Sequence, residues 1–553
     1  MKKFLAIILA LVITLGMCAC GGGSGSGEED KTADGKVKLT VGINSNALVL
    51  DHDNNALTKW IEEKCGVEIE FEEYSAGGEV ATLISTTIAA REELPDILWG
   101  IDLVEATVSR YGKDGYFLDL SDYYADKEGA SQIFWDRMEN ELDEQTQEYI
   151  LRKITEPDGA IYGVPIVETS MIDKMQYQLF INTEWLDAVD MEKPTNTDEL
   201  YEVLKAFKEK DPNGNGKQDE IPLFGSESGS SLCAHVVDWL INLHSYYNDN
   251  RPWNIEDGKV TASFTTDGYR EGLKFVNKLY KEGLLAPIAW SASPNEMKTI
   301  ITPTSGPAMV GIFAGHLTVH TQQDNETLYQ YEPLANWGSA VRADPSCKLN
   351  TYITADCEES KRDKAFEVLM TMWSWDGSMR NRYGEYGVNW TEADEGAKSD
   401  LGLDATYKLI SDPLTMQSTA KWATIASTLN VYAEGETAQI DGAVASEWIA
   451  TKSKMHAESY ALFLEAEENN NPEELCPYLV TTEEEKEATE MERTNVSDRF
   501  RKAQTEFCQG TKNADGVVMD PNDDAVWEAY VQELYDLGLQ TYLDYLQVAY
   551  DRS

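Results

Sequence analysis

The stretch Asp211–Pro222, DPNGNGKQDEIP, places side-chain oxygens at alternating positions and then in an adjacent acidic pair. The oxygen-bearing residues are Asp211, Asn213, Asn215, Asp219 and Glu220. Calcium takes about six to eight oxygens in a flexible cage, with a backbone carbonyl near loop position seven, here that of Lys217. Gly216 occupies the sixth position, where such a loop turns sharply. The spacing therefore predicts a structural Ca²⁺ site that includes the carbonyl of Lys217.

The match to an EF-hand loop is incomplete at its last position. An EF-hand supplies a bidentate Glu at the twelfth position, whereas this loop has Pro222 there. Glu220 would have to take that role two residues early. We therefore expect a rigid structural site rather than a pair of helices that opens when calcium binds. The alternative is a metal-free surface turn, because Asn and Gly favour turns in any case.

Strand and helix patterns alternate in the first part of the chain. The segments in order are strand Lys38–Ile43, helix Ala56–Lys64, strand Val67–Tyr74, helix Val80–Ala90 and strand Leu94–Trp99. This rhythm predicts an α/β fold with a parallel sheet. Closer to the loop, Thr197 is a candidate N-cap for an amphipathic helix. Near the chain end, apolar residues recur at helical spacing over Val526–Tyr550, so this segment should pack against the body.

The first residues have the pattern of a secretory leader. Lys2 and Lys3 precede an apolar run from Phe4 to Leu15, which is too short to remain as a membrane span. We assign residues 1–20 to a lipoprotein signal peptide and the Gly/Ser and acidic stretch 21–35 to a flexible tether. Cys20 is the predicted lipidation site, and stable anchoring needs more than one acyl chain. The alternatives are lipidation at Cys18 and ordinary cleavage with release of the protein.

Composition limits the classes of partner. The chain has 553 residues and a formal net charge of -51, whereas nucleic-acid binding needs a basic surface. An anionic small ligand is still allowed, because a local cation can override the global field. With 42% hydrophobic residues, the chain is too long for one compact core, so two or more lobes are expected. We expect a monomer.

Six cysteines follow the predicted leader and its lipidation residue. They are Cys65, Cys233, Cys347, Cys357, Cys476 and Cys508. No two of them form a CxxC pair, so a zinc ribbon or a redox motif is not supported. We interpret them as buried thiols, although a bridge between Cys347 and Cys357 stays open.

The order of the motifs carries a family resemblance. After the lipobox leader come LPDIL, GYFLDLSD, IYGVP, INTEWL, PTNTDELYEVLKAFKEKDPNGNGKQDEIP, KLYKEGLL and Gly387–Trp390. Together they resemble the extracellular solute-binding lipoproteins of ABC sugar importers, in a long Gram-positive branch related to alginate-oligosaccharide-binding proteins. In those relatives a loop similar to Asp211–Glu220 holds a structural calcium ion.

The resemblance implies a periplasmic-binding-protein-like clamshell of type II, with extra C-terminal helices. Lobe 1 would contain residues 36–165 and 340–410. Lobe 2 would contain residues 166–339 and 411–553. The implied function is to capture an oligosaccharide and deliver it to ABC permease subunits. The protein would be lipid-anchored on the extracellular face of a Gram-positive cell membrane.

A sugar cleft would combine aromatic rings, which stack on C–H faces, with polar groups that bond to hydroxyls. The candidate stacking residues, which follow strands or cleft-forming segments, are Trp99, Trp290, Trp337, Trp375 and Trp390. The candidate polar residues are Asn46, Glu168 and Asn389. For each of them, core packing or plain solvation is the competing interpretation.

Two other functional classes stay open. A secreted glycosidase would need a pair of carboxylates about 5–10 Å apart, which the many acidic residues cannot exclude. No Ser nucleophile elbow, HExxH motif or Walker loop appears, and we expect no enzyme activity. His316 and His320 could share a helix face as metal ligands, but no third ligand is evident and we interpret them as structural. The same clamshell could also bind a peptide or another small solute.

Overall fold

The computed structural model describes residues 35–75, 79–227, 232–411, 417–422, 428–430, 437–440 and 447–552. The predicted signal peptide, Cys20 and the tether before Gly35 lie outside the described residues. No helix in the described ranges is both long enough and apolar enough to cross a membrane.

A six-stranded sheet is the frame of the first lobe. Its strands are β1 (Val37–Asn44), β2 (Val67–Tyr74), β3 (Ile97–Trp99), β4 (Val164–Glu168), β11 (Ser346–Ile353) and β14 (Leu429–Asn430). Their order across the sheet is β14-β4-β11-β3-β1-β2. β1 is parallel to β2 and β3, as the alternation of strands and helices predicts. β11 is antiparallel to β3 and β4, so it enters the sheet from the opposite end.

Helices cover both faces of this sheet. They are α1 (Ala56–Cys65), α2 (Glu79–Ala90), α3 (Glu105–Lys113), α4 (Ser121–Ala125), α5 (Gln132–Glu141), α6 (Glu144–Ile154), α13 (Glu359–Trp373) and α14 (Trp375–Tyr383). Ile97 and Trp99 point into one apolar core, whereas Leu98 points into the other. Burial on both faces explains why β3, Ile97–Trp99, is apolar at every position rather than alternating.

A four-stranded sheet is the frame of the second lobe. Its strands are β5 (Leu179–Asn182), β6 (Ile221–Phe224), β9 (Val310–Ala314) and β10 (Tyr331–Pro333), in the order β10-β5-β9-β6. β7 (Trp253–Glu256) and β8 (Lys259–Ala262) form a separate hairpin. The helices are α7 (Thr183–Val189), α8 (Thr197–Glu209), α9 (Val236–Asn242), α10 (Asp267–Lys281), α11 (Pro294–Ile301) and α12 (Leu317–His320).

Helix α8 connects the second sheet to the loop Asp211–Pro222. Its N-cap is Asn196, one residue before the predicted Thr197, and the Asn196 side chain accepts a hydrogen bond from the Glu199 amide. The apolar face of α8 is buried, and Phe207 lies against Gly311 of β9. A Cβ at Gly311 would lie 2.3 Å from the Phe207 ring, so only glycine allows this close packing.

Within the described ranges, two continuous segments carry the chain from one lobe to the other. Residues 169–178 lead from β4 to β5, and residues 334–345 lead from β10 to β11. A small third sheet follows, built from β12 (Trp390–Glu392), β13 (Tyr407–Leu409) and β15 (Ala438–Ile440). Its own aromatic core includes Trp390, Tyr383 and Tyr407.

The C-terminal helices complete the second lobe. They are α15 (Glu447–Asn470), α16 (Glu483–Gln509), α17 (Asp524–Asp536) and α18 (Leu539–Arg552). Phe500 of α16 stacks on Phe264 with ring centroids 4.2 Å apart, and Trp527 and Leu543 join the same core. The predicted packing helix Val526–Tyr550 is therefore two helices, and Gly538 with φ 97° separates them.

One predicted boundary differs from the structure. Residues 411–553 were assigned to lobe 2, but β14 pairs with β4 of the first sheet. Trp422 and Leu429 are buried in the first-lobe core, because their apolar side chains fill the space beside α1 and β4. The segment around these residues belongs to the first lobe, and the other lobe limits stay a prediction.

Candidate calcium loop and ligand cleft

The loop Asp211–Pro222 joins α8 to β6 through left-handed turns. Asp211 has φ 48° and Gly216 has φ 78°, and a positive φ is uncommon for a residue other than glycine. The amide of Gly216 donates to Asp211 Oδ2 at 2.9 Å, and the amide of Lys217 donates to Asn215 Oδ1 at 2.8 Å. The backbone thus folds around the side chains that the sequence proposed as ligands.

Several carboxylate oxygens of this loop lack partners. Asp211 Oδ1 and both carboxylate oxygens of Glu220 are buried without a hydrogen-bond partner in the described chain. Burial, together with the charges of Asp211 and Asp219, raises the pKa of Glu220. Buried carboxylates that lack a partner are costly, and a cation would offset both the burial and the repulsion. The donors are hard oxygens, which fits Ca²⁺.

Strand direction defines the edges of an interlobe cleft. β4 ends and β11 begins where the chain crosses between the lobes, and β3 runs antiparallel to β11. β1 and β3 therefore also end at this edge. In the second lobe, β5 begins at its crossing, so β9 and β6 end there. The carboxyl ends of β1, β3, β6 and β9 are thus directed toward the cleft, where ligands of α/β proteins commonly bind.

Polar side chains at both edges contain buried atoms that have no hydrogen-bond partner among the described residues. These atoms are Asn44 Oδ1, Trp99 Nε1, Asn430 Oδ1 and Nδ2, Gln178 Oε1 and His456 Nε2. Buried polar atoms in native proteins nearly always have a partner, either in the protein or in ordered water. A polar ligand between the lobes would satisfy atoms of this kind.

Two of the predicted stacking residues have no exposed ring face. Trp99 is fully buried and packs edge-on against Trp422, with ring centroids 5.0 Å apart. Trp390 is buried in the small third sheet, where its Nε1 donates to the Gly384 carbonyl. A ring without an exposed face cannot stack on a sugar. The predicted role of Trp99 and Trp390 as stacking platforms is therefore wrong for this conformation.

The other predicted tryptophans are half-buried and have protein partners. Trp375 contacts Trp390 at 5.2 Å, and Trp290 contacts Tyr280 at 5.3 Å. Trp337 donates from Nε1 to the hydroxyl of Thr197 at 3.4 Å. Their part in ligand binding stays a prediction.

The predicted polar residues are not brought together as one group. Glu168 ends β4 opposite Ser346, and Asn46 follows β1, so both lie at the first-lobe edge. Asn389 instead belongs to the third sheet, where its side chain bonds to Ser411 Oγ at 2.9 Å and to the Glu385 amide. Asn46 Oδ1 accepts from the Leu48 amide at 2.8 Å, which shapes the turn after β1.

A buried charged group that the sequence did not suggest follows β6. Glu227, His235 and Asp238 place their ligating atoms within 4.8 Å of one another. Burial alone would lower the pKa of His235, but the hydrogen bond and charge of Asp238 raise it to about 9. Burial also raises the pKa of Glu227. The three residues are eleven or fewer positions apart, but nothing in their spacing resembles a known motif.

The histidine pair His316 and His320 caps a short helix. His316 Nδ1 accepts from the Thr318 amide at 3.2 Å, and His320 Nδ1 accepts from the His316 amide at 2.9 Å. These bonds support the structural interpretation of the pair rather than a role as metal ligands. The ring of His316 also lies 5.5 Å from that of His456, a contact between residues far apart in the sequence.

Residues 56–302 match the family of bacterial extracellular solute-binding proteins. The fructooligosaccharide ABC transporter substrate-binding protein FusA of Streptococcus pneumoniae is 30% identical over 247 residues, which is 42% of each chain. The polygalacturonan/rhamnogalacturonan-binding protein YtcQ of Bacillus subtilis is 27% identical over 200 residues, 35% of this chain and 34% of that one. The alignments thus span well under half of these curated relatives.

Solved structures show the same fold over nearly the whole chain. A solute-binding protein of Bifidobacterium longum infantis, associated with an ABC transporter and binding HMO, superposes with a TM-score of 0.71 at 20% identity. The superposition covers 94% of this chain and 99% of that one. FusA in complex with kestose gives a TM-score of 0.64 at 20% identity, covering 93% and 99%. The chain has the two-lobe solute-binding fold with additional C-terminal helices.

Proposed function

We propose that this protein is the substrate-binding component of an ABC importer. It captures an oligosaccharide in the interlobe cleft and delivers it unchanged to the permease. The observation that supports this most directly is the pair of facing strand edges with buried polar atoms that lack partners. Relatives that bind fructooligosaccharide and polygalacturonan support the assignment to sugars.

The capture step needs only binding, closure and exclusion of water. Hydroxyl groups of a sugar would bond to the polar atoms at the two edges, and closure about residues 169–178 and 334–345 would bury them. Each lobe has its own sheet and core, so the lobes can move as rigid bodies about these segments. A closed form that differs from the open form is what a permease could recognise.

We also propose that the loop Asp211–Pro222 holds a structural Ca²⁺. The ligands would be Asp211, Asn213, Asn215, Asp219, Glu220 and the carbonyl of Lys217. The buried oxygens of Asp211 and Glu220 support this assignment. FusA, a structural neighbour, has also been solved as an EF-hand mutant. The ion would neutralise the loop and fix the junction between α8 and β6.

The proposed location is the outer face of a Gram-positive cell membrane. Cys20 would carry the acyl chains, and residues 21–35 would let the protein reach the permease. Mass spectrometry of the membrane fraction tests this, because diacylated Cys20 would be the first residue of the mature protein. Soluble protein without acyl chains in the medium would contradict it.

The binding function is tested by calorimetry against an oligosaccharide library. We expect saturable binding of at least one intact oligosaccharide, with a smaller radius of gyration in X-ray scattering when it is bound. Chromatography of the recovered sugar checks that it is not cleaved. Turnover would favour a glycosidase instead, and binding of peptides alone would favour a different cargo.

A further inference from the structure

Helix α15 runs across the second-lobe edge of the cleft and brings a second histidine to it. The rings of His456 on α15 and His316 after β9 lie with centroids 5.5 Å apart and planes inclined by 49°. His316 lies two residues beyond Ala314, the last residue of β9, at the edge where strand ends meet the cleft. The two residues are far apart in sequence, so only the fold brings them together.

Three polar atoms on this part of the edge are buried and lack a hydrogen-bond partner in the described ranges. They are His456 Nε2, Ser459 Oγ and Gln178 Oε1. His456 is 3% exposed and Gln178 is 2% exposed. Ser459 and Gln178 share a crevice, and His456 lies three residues, about one helical turn, from Ser459 on the same face of α15.

The imidazoles on this part of the edge carry no charge at neutral pH. Burial lowers the pKa of His316 to about 4, and burial with the nearby His316 and Lys452 lowers that of His456 well below its usual range. Because Nδ1 of the neutral His316 ring accepts from the Thr318 amide, that ring offers its Nε2–H as a donor, whereas a serine hydroxyl can both donate and accept. A sugar hydroxyl has the same dual character.

We propose that His316, His456 and Ser459 form an uncharged hydrogen-bonding subsite for hydroxyl groups of a neutral sugar unit. The inference rests on the proposed function and names the chemistry of one part of its cleft. A charged uronate unit would instead need a cation in this subsite to pair with its carboxylate. The charge of Lys452 already interacts with Asp400, and the Asp173 carboxylate also faces His316.

The test uses the full-length protein without its leader and the oligosaccharide with the highest affinity in the library. His316→Ala and His456→Ala should each weaken binding about tenfold, because each removes a hydrogen bond to the ligand. His456→Gln keeps a donor and an acceptor and should recover most of the affinity. His244→Ala is the matched control, since His244 is exposed on the second lobe outside the cleft. Imidazole ¹⁵N resonances of the wild type provide a measurement that needs no variant.

The outcomes separate this inference from the function on which it rests. Binding within twofold of wild type in both alanine variants, or imidazole resonances unchanged by the sugar, would overturn the subsite. The proposed function would then stand. A wild-type protein that binds uronate oligosaccharides at least as tightly as neutral ones would also overturn it. If the wild type binds no oligosaccharide, the subsite falls together with the proposed function.

Discussion

Glu220 should have opposite effects on stability in the absence and presence of calcium. Its pKa is raised in the folded protein, so the metal-free protein loses stability as the pH rises from 4.5 through the raised value. In EDTA at pH 7.5, Glu220→Gln should therefore raise the melting temperature. In saturating Ca²⁺ the same variant should melt a few degrees below wild type, because a ligand at about 100 times its Kd stabilises by about 2.7 kcal/mol.

The matched control for this prediction is Glu256→Gln. Glu256 is exposed on the β7–β8 hairpin and lies outside the loop, so its substitution should leave both melting temperatures unchanged. Calorimetric scans in EDTA and in Ca²⁺ measure all four values. A loop that binds no calcium would show the same melting temperature in both buffers for the wild type.

Gly311 sits where a side chain has no room. A Cβ there would lie 2.3 Å from the Phe207 ring and 2.9 Å from the Pro222 carbonyl oxygen. Gly311→Ala should therefore lower the free energy of unfolding of the second lobe by about 1–3 kcal/mol, through overpacking. Phe207→Leu removes the ring, so the cost of Gly311→Ala should be smaller in the Phe207→Leu background. Additive costs in denaturant titrations would contradict this account of the contact.

At the scale of elements, the long helix α16 begins with a capping box. The Thr482 side chain accepts from the Glu485 amide, and the Glu485 side chain accepts from the Thr482 amide. Thr482→Ala should cost about 0.5–2 kcal/mol, whereas Thr482→Ser keeps the hydroxyl and should cost little. Hydrogen exchange of the first turn of α16 reports the loss locally. Equal exchange rates in the two variants would show that the cap is not what holds this end.

Local elements are those that the sequence predicted best. The first three strands and the helices between them follow from periodicity, and the loop at Asp211 follows from oxygen spacing. The periodic strands and helices and the Asp211 loop are all determined by residues close together in the sequence, and sequence patterns report relations of that kind. The break at Gly538 was missed because the apolar spacing continues across it, whereas the turn depends on the backbone of one residue.

The cleft was harder to predict, because its members come from distant segments. Trp99 follows a strand and was expected in the cleft, yet Trp422, far along the chain, covers it in the core. His456 was missed because nothing near it in sequence marks it, and only α15 brings it to His316. Burial and long-range contact decide these positions, and neither can be read from local spacing.

At the scale of the whole molecule, the formal net charge of -51 should make stability depend on salt. Repulsion among the acidic side chains opposes the compact state, and at 0.15 M ionic strength the Debye length falls to about 8 Å. The melting temperature should rise by several degrees between 10 and 150 mM KCl, with EDTA present so that calcium does not contribute. Thermal unfolding scans at constant pH and without denaturant measure this change in melting temperature. A falling melting temperature would show that ion pairs, rather than repulsion, dominate the surface.

The stacking of Phe500 on Phe264 ties the last quarter of the chain to the second-lobe core. The C-terminal helices lie more than 180 residues beyond Phe264 in the sequence, so the interior of the second lobe forms only when segments far apart along the chain meet. Closing such a long loop costs entropy before any contact repays it, which makes folding slow. We therefore expect the second lobe to reach its final packing on a slower timescale than the local helices and hairpins that it contains.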